Sequence, residues 1–268
     1  MRGILVAMLV ATPSMLLPGV TNTAIEMGAL LALLAAMLTF VEYNSHFPSF
    51  VEFRDAPPLN RIRFISLFVT VFVLTLISKH NYLPTNLTAL FSWFGTVIGS
   101  NLDFPYSPVR LVTLMLPAGA PVETIDTLRI AAGVSYVIAL ITVASFLFVV
   151  RVLNWPTGNG AFNVWVNLPL FDPTTGGDVV YRLQRDGRIN IILGVLLPFI
   201  IPAVIKAASD WGNPVLLESP QALIWTMSAW SFLPASMIMR GVAMLRIADL
   251  IEEKRRRVYA NAQALHTA

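Results

Sequence analysis

The sequence has no cysteine and little charge. Of its 268 residues only 12% are charged and 56% are hydrophobic, and the mean hydropathy is +0.70. Soluble globular domains carry about 25% charged residues, and a soluble chain this poor in charge would leave much apolar surface facing water. The composition therefore excludes a soluble enzyme domain, a disordered chain and a disulfide scaffold, and it predicts a polytopic membrane protein.

Missing residue types and motifs exclude several chemistries. Without cysteine there is no disulfide, thiolate metal site or palmitoylation site. The three histidines, His46, His80 and His266, lie outside the long apolar stretches, so none can ligate a haem from within a span. The sequence contains no H-E-x-x-H zinc motif, no G-x-S-x-G elbow and no P-loop. We therefore expect no cofactor, no bound metal and no enzymatic activity.

Six apolar stretches are long enough, or nearly so, to cross a bilayer as helices. The hydrocarbon core is about 30 Å thick and takes about 20 helical residues to cross, and none of the stretches alternates as a barrel strand would. The stretches are residues 3–19, 24–40, 62–78, 130–150, 189–208 and 222–243. The first is interrupted by Pro13 and Pro18, and it also resembles a signal peptide. The sequence predicts an all-α polytopic membrane protein with about six transmembrane helices.

Lysine and arginine are divided unequally between the two sides of this arrangement. The side that carries both termini holds fourteen of the eighteen basic residues, and the other side holds four. Because basic residues accumulate in cytoplasmic loops, we expect cytoplasmic N and C termini in a bacterial inner membrane, with a mitochondrial or plastid inner membrane as the alternative. The net charge of only +3 does not favour nucleic acid binding.

Residues 1–268 are expected to form a single membrane-embedded domain, because no soluble segment is long enough to fold independently. The outer segment 79–129 contains two apolar runs that are each too short to cross alone, and prolines separate them. They are either two interfacial helices on the outer leaflet or a re-entrant pair over 87–116 that enters a cavity.

Two further segments lie on the inner side. Residues 152–188 form an inner loop in which apolar and polar residues partly alternate around a turn-rich insert, a pattern that predicts an extended flap or a small β-hairpin. Residues 245–268 contain good helix formers and no glycine or proline, so we expect a cytoplasmic helical tail. Arg240, near the inner end of the last span, is expected to reach the headgroups by snorkelling.

Small residues recur every fourth position in two of the predicted spans. They are Gly28, Ala32 and Ala36 in the second span and Ala131, Ser135 and Ala139 in the fourth. This spacing allows helix backbones to approach closely in lipid. The stripes either pack inside the bundle or bind another subunit.

The inner side also carries candidate binding residues. Phe162, Trp165 and Tyr181 of the inner loop are suitable anchors for a protein partner, because aromatic side chains bury a large area at low entropic cost. The tail carries the basic cluster Lys254, Arg255, Arg256 and Arg257, which is expected to bind anionic lipids.

These observations favour a non-catalytic accessory, scaffold or assembly subunit of a membrane protein complex. Its expected partners are other membrane protein subunits and anionic lipids. The alternative is a channel or transporter for a neutral or apolar small molecule, built around a re-entrant segment at 87–116 with Gly95 and Gly99 at its turn.

Overall fold

The computed structural model describes residues 1–117, 119–156, 164–171, 176–210 and 219–267. Within these ranges all regular structure is α-helical. The helices are α1 (Arg2–Leu16), α2 (Asn22–Asn44), α3 (Leu59–His80), α4 (Asn86–Leu102), α5 (Pro108–Thr113), α6 (Val122–Arg151), α7 (Val164–Asn167), α8 (Val179–Asp210) and α9 (Pro220–Thr267). In the described part of the chain, five helices (α2, α3, α6, α8 and α9) are long and apolar enough to cross a membrane. The chain is therefore a helical, multi-pass membrane protein.

Two sequence expectations differ from this structure. The first predicted span corresponds to α1, which has 15 residues and contains Pro13; at 1.5 Å per residue it reaches about 22 Å, less than the hydrocarbon core. The predicted hairpin is also wrong where the structure describes it, because residues from Val179 onward are helical. The cause is local: the Asp178 carboxylate accepts a hydrogen bond from the Val180 N–H at 3.2 Å, which caps the start of α8.

Four helices, α3, α6, α8 and α9, form the centre of the bundle. α9 packs against α3, α6 and α8, and α6 also packs against α3. α1 packs on α3, whereas α2 contacts α1 and none of the other described helices. We call the end that carries the loop 45–58 and the last turns of α9 the basic end, and the other the opposite end.

Each end has its own hydrophobic cluster. The cluster at the basic end is built around Phe53, Phe146, Trp155 and Met244. The cluster at the opposite end joins α3, α5, α6 and α9 through side chains such as Val112. Val109 and Val112 of α5 are both fully buried, so one face of the short helix α5 is buried against the bundle.

Helix α4 lies across the first turns of α6. A Cβ built on Gly133 of α6 would lie 2.7 Å from the Cα of Gly99, and a Cβ on Gly95 would lie 2.8 Å from a methyl carbon of Ile130. The two glycines of α4 therefore serve helix packing, and the expectation that they form a re-entrant turn is wrong, since both lie within a regular helix. After α4, Asp103 pairs with Arg110 at 2.7 Å and with Arg129 at 3.0 Å, which ties the segment to α6.

Candidate functional site

The loop 45–58 at the basic end is held by a buried carboxylate. Glu42, in the last turn of α2, accepts hydrogen bonds from the backbone N–H groups of Ser49, Phe50 and Val51 at 2.9 to 3.2 Å. Several backbone donors satisfy a buried carboxylate well. The loop is therefore fixed to the end of α2, and the sequence of this loop gave no indication of that contact.

A charge cluster joins the same loop to the last helix. Arg240 of α9 donates two hydrogen bonds to the Glu52 carboxylate, at 2.6 and 2.8 Å, and Asp186 of α8 also acts on Arg240 electrostatically. The expectation that Arg240 snorkels to the headgroups is therefore wrong. Its carboxylate partner lies 188 residues away in the sequence and comes from a loop rather than from a span.

Arg63 of α3 adds a second guanidinium to this cluster. One of its terminal nitrogens donates to the Ser236 carbonyl of α9 at 3.0 Å, while its Nε is buried and has no hydrogen-bond partner among the described residues. Glu52 attracts Arg63 and Arg240 repels it. Buried ionisable groups are costly unless paired, so Glu52 compensates two cations at once.

Two side chains connect the loop to the segment that follows α6. The Trp155 indole N–H donates to the carbonyls of Ala56 and Pro57, at 3.3 and 3.0 Å. The Asn167 side-chain oxygen accepts from the Asp55 N–H at 3.0 Å. Together with the charge cluster, these contacts make the basic end a single packed unit formed by parts of the chain that are distant in sequence.

The small-residue stripe of α2 faces α1. A Cβ built on Gly28 would lie 2.9 Å from the Ser14 hydroxyl, and a Cβ on Gly3 would lie 2.8 Å from the carbonyl oxygen of Ala36. Ala32, between them, is buried. The stripe therefore packs α2 against α1 within the chain.

The stripe of α6 is also internal. Ala131, Ser135 and Ala139 are all buried, and the Ser135 hydroxyl donates to the Ala132 carbonyl at 3.1 Å. Internal packing, one of the two interpretations of the spacing, accounts for both stripes, because the α2 stripe contacts α1 and the α6 stripe is buried. The spacing of small residues in the sequence predicts that a neighbouring helix approaches closely, but it does not show which helix that is.

The structure describes the three aromatic candidates of the inner loop to different extents. Phe162 lies outside the described residues, and for Trp165 the structure describes only the backbone, in α7. Tyr181 lies in the first turn of α8 and is 66% exposed. Tyr181 is therefore the one of the three whose side chain the structure shows to be accessible.

The basic cluster of the tail lies on α9, whose helix continues unbroken to Thr267. Arg255 pairs with Asp178 at 2.8 Å, whereas Arg256 and Arg257 pair with the glutamates four residues earlier in the helix. These arginines and Lys254 are exposed. Three of the four charges expected to bind anionic lipid thus have carboxylate partners within the chain, which reduces the positive potential that a lipid surface would meet.

The opposite end contains a cavity of about 500 Å³ between α3, α6 and α9. Its walls include Ser78, Tyr82, Glu123 and Thr127, together with apolar side chains such as Leu223. Ligand pockets have volumes of about 300 to 1,000 Å³ and combine apolar walls with a few polar groups, so this cavity is large enough for a small molecule.

The buried charges and the indole N–H at the basic end all hold the loop 45–58 in place. The basic end therefore presents a rigid surface. Within the described residues there is no cluster of three or more histidine and carboxylate side chains placed to hold a metal ion. No model of a known protein family, no curated protein and no solved structure matches the chain.

Proposed function

We propose that this chain is a non-catalytic scaffold or assembly subunit of a membrane protein complex, with its basic end in the bacterial cytoplasm. The observation that carries the proposal is that three large apolar side chains at that end, those of Tyr181, Val258 and Tyr259, are exposed. Their exposed fractions are 66%, 57% and 67%. We call these three residues the tail patch.

The tail patch lies beyond the reach of lipid chains. α8 and α9 run antiparallel, with Gly187 beside Gly241 and Asp178 paired with Arg255. Arg188, an exposed residue of α8, therefore lies closer to the middle of the bundle than the patch does. Since exposed charged side chains are excluded from the hydrocarbon core, the patch lies outside it, where acyl chains cannot cover an apolar surface.

The end of α9, which carries Val258 and Tyr259, also has little packing of its own. Ile251 is packed against the cluster at the basic end, whereas the residues from Glu253 to Gln263 are all exposed. The 16 residues after Ile251 extend about 24 Å. Ion pairs between residues i and i+4 add only about 0.2–0.5 kcal/mol each, and helices of this length are marginal in water without tertiary contacts. A protein partner on the patch supplies the missing packing.

The test compares the double variant Val258→Gln/Tyr259→Gln with the control Ala260→Gln/Asn261→Gln, which changes neighbouring exposed tail residues. Complexes are extracted from native membranes in polymer-bounded lipid discs, and their protein mass is measured together with the identity of cross-linked subunits. We expect wild type and control to carry a second protein at fixed stoichiometry and the patch variant to lose it. A wild-type particle that contains only the 29.5 kDa chain contradicts the proposal, as does equal retention in the patch variant.

The cavity at the opposite end favours a second candidate function, the binding of a neutral small molecule during transport. Thr127→Trp would fill the cavity from its wall, whereas changes at Gly95 would disturb the packing of α4 on α6. In a screen of neutral solutes, a ligand of this cavity should raise the unfolding temperature of wild type and not of the Thr127→Trp variant. Absence of any such solute, with a retained protein partner, favours the scaffold function.

A further inference from the structure

α8 and α9 pack tightly toward the basic end and separate toward the opposite end. In the tight part, a Cβ on Gly194 of α8 would lie 2.7 Å from the Pro234 carbonyl oxygen of α9, and a Cβ on Gly241 would lie 2.5 Å from the Gly187 carbonyl oxygen. The two backbones are therefore nearly in contact along this part. Beyond it, a groove of about 430 Å³ lies between the two helices.

Proline chemistry explains where the separation begins. Pro198 and Pro202 both lie inside α8. Pro202 has no N–H, so the Pro198 carbonyl loses its helical partner, and a proline ring also bends the helix. The Trp230 indole N–H of α9 donates to this carbonyl at 3.2 Å. The bond satisfies the freed acceptor and fixes α8 at the point from which the groove extends.

The groove is apolar and opens on the membrane-facing side. Its walls include Ile201 and Ile205 of α8 and Trp225, Ala229 and Leu233 of α9. Met115, which follows α5, also lines the groove and is buried. On the outer surface of α8 the neighbouring side chains, Phe199, Ile200 and Val204 among them, are exposed and apolar. The groove therefore faces the hydrocarbon of the bilayer.

We propose that this groove binds one acyl chain of a phospholipid from the leaflet at the opposite end. A spanning helix from another protein could insert only its side chains between α8 and α9, because one helical turn with its side chains occupies roughly 400–600 Å³. An extended hydrocarbon chain is thinner than a helix. From Trp225 to Leu233 the groove runs about 12 Å along α9, which is close to the roughly 15 Å thickness of the hydrocarbon of one leaflet.

Photo-cross-linking tests this proposal directly. The purified protein is placed in vesicles of phosphatidylethanolamine and phosphatidylglycerol that contain phosphatidylglycerol with a diazirine in its acyl chain. After illumination, labelled peptides are quantified by mass spectrometry. We expect the peptides that contain Met115 and residues 225–233 to be labelled well above the exposed face of α2, which meets only unbound lipid.

Two tryptophan variants serve as a matched pair. Ala229 lines the groove and is exposed to it, so Ala229→Trp fills the groove without entering the core; Ala203→Trp places the same side chain on the exposed surface of α8. Ala229→Trp should lower groove labelling to the level of the exposed face of α2, because the indole ring occupies the space of the chain, and Ala203→Trp should leave groove labelling within about twofold. Ile205→Phe, a smaller filling change, should give an intermediate loss if Ala229→Trp fails to fold.

Three results would overturn the proposal. The first is labelling of the groove no stronger than that of α2 in the wild-type protein. The second is groove labelling that stays unchanged in folded Ala229→Trp. The third is a cross-link from the groove to another protein, rather than to lipid, when the chain is labelled in native membranes.

Discussion

Replacing Glu52 by glutamine tests whether its ion pair holds the loop 45–58 to the last helix. The change keeps the size of the side chain and removes its charge. The Arg240 guanidinium then loses the carboxylate that accepts its two hydrogen bonds at 2.6 and 2.8 Å. The second cation of the cluster, Arg63, loses the same compensating charge.

The expected cost follows from burial and geometry. Glu52 is only 6% exposed, and removing one partner of a buried pair costs about 3–5 kcal/mol because the other charge is left uncompensated. The Arg240 side chain is 24% exposed and Asp186 still acts on it, so we expect the lower limit, about 3 kcal/mol of unfolding free energy. That loss corresponds to a roughly 150-fold change in the unfolding equilibrium constant.

Asp55→Asn is the matched control, because it makes the same chemical change on the same loop. Asp55 pairs with its neighbour Arg54 at 3.3 Å, and its side chain is 59% exposed. Exposed pairs contribute about 0–1 kcal/mol. Reversible unfolding is followed by far-ultraviolet circular dichroism in mixed micelles with increasing dodecyl sulfate. Our reasoning is refuted if the two variants unfold within about 0.5 kcal/mol of each other.

Three further changes test other contacts. Gly133→Leu should destabilise the protein by about 1–3 kcal/mol, because its side chain would collide with Gly99 of α4; the same unfolding assay measures this. Trp155→Phe should cost about 1–2 kcal/mol in that assay, since the ring remains but the donor to two loop carbonyls is lost. The Arg255 guanidinium holds the pKa of Asp178 below its ordinary value of 3.8. Their contact therefore persists above about pH 4 and is lost as the pH falls through the lowered pKa. Distances between spin labels on the tail and on the end of α6 should broaden there, and an unchanged distribution in acid strong enough to protonate Asp178 would contradict the role of this pair.

Much of the membrane-embedded architecture follows from the sequence. The predicted stretch 62–78 lies within α3, 130–150 within α6 and 222–243 within α9, because a run of about 20 apolar residues has few alternatives to a buried helix. The expectation of a helical membrane protein is confirmed. For the start of α8, Asp178 ahead of Val179 was an available signal, since an aspartate commonly caps a helix at its first residue.

The charge cluster could not be predicted in the same way. Arg240 is visible in the sequence as a charge within an apolar stretch, but nothing local indicates that it binds Glu52. Such a pair depends on how α3, α8 and α9 pack, and that packing depends on glycines such as Gly194 and Gly241 whose neighbours lie in other helices. A hydrophobic pattern with a period of 3.6 residues shows which face of a helix is buried. Which helix packs against that face depends on the whole bundle.

The pairing of Glu52 with Arg240 has a consequence for biosynthesis. At about 5–20 residues per second, the ribosome needs roughly 10–40 s to add the 188 residues that separate the two. During that interval the loop 45–58 has its Glu42 contacts but lacks its guanidinium partner. Protease accessibility of ribosome-bound chains of increasing length should show the loop becoming protected only after α9 has emerged. Nascent chains stalled before α9 would then carry an open, charged loop, which distinguishes them from finished molecules.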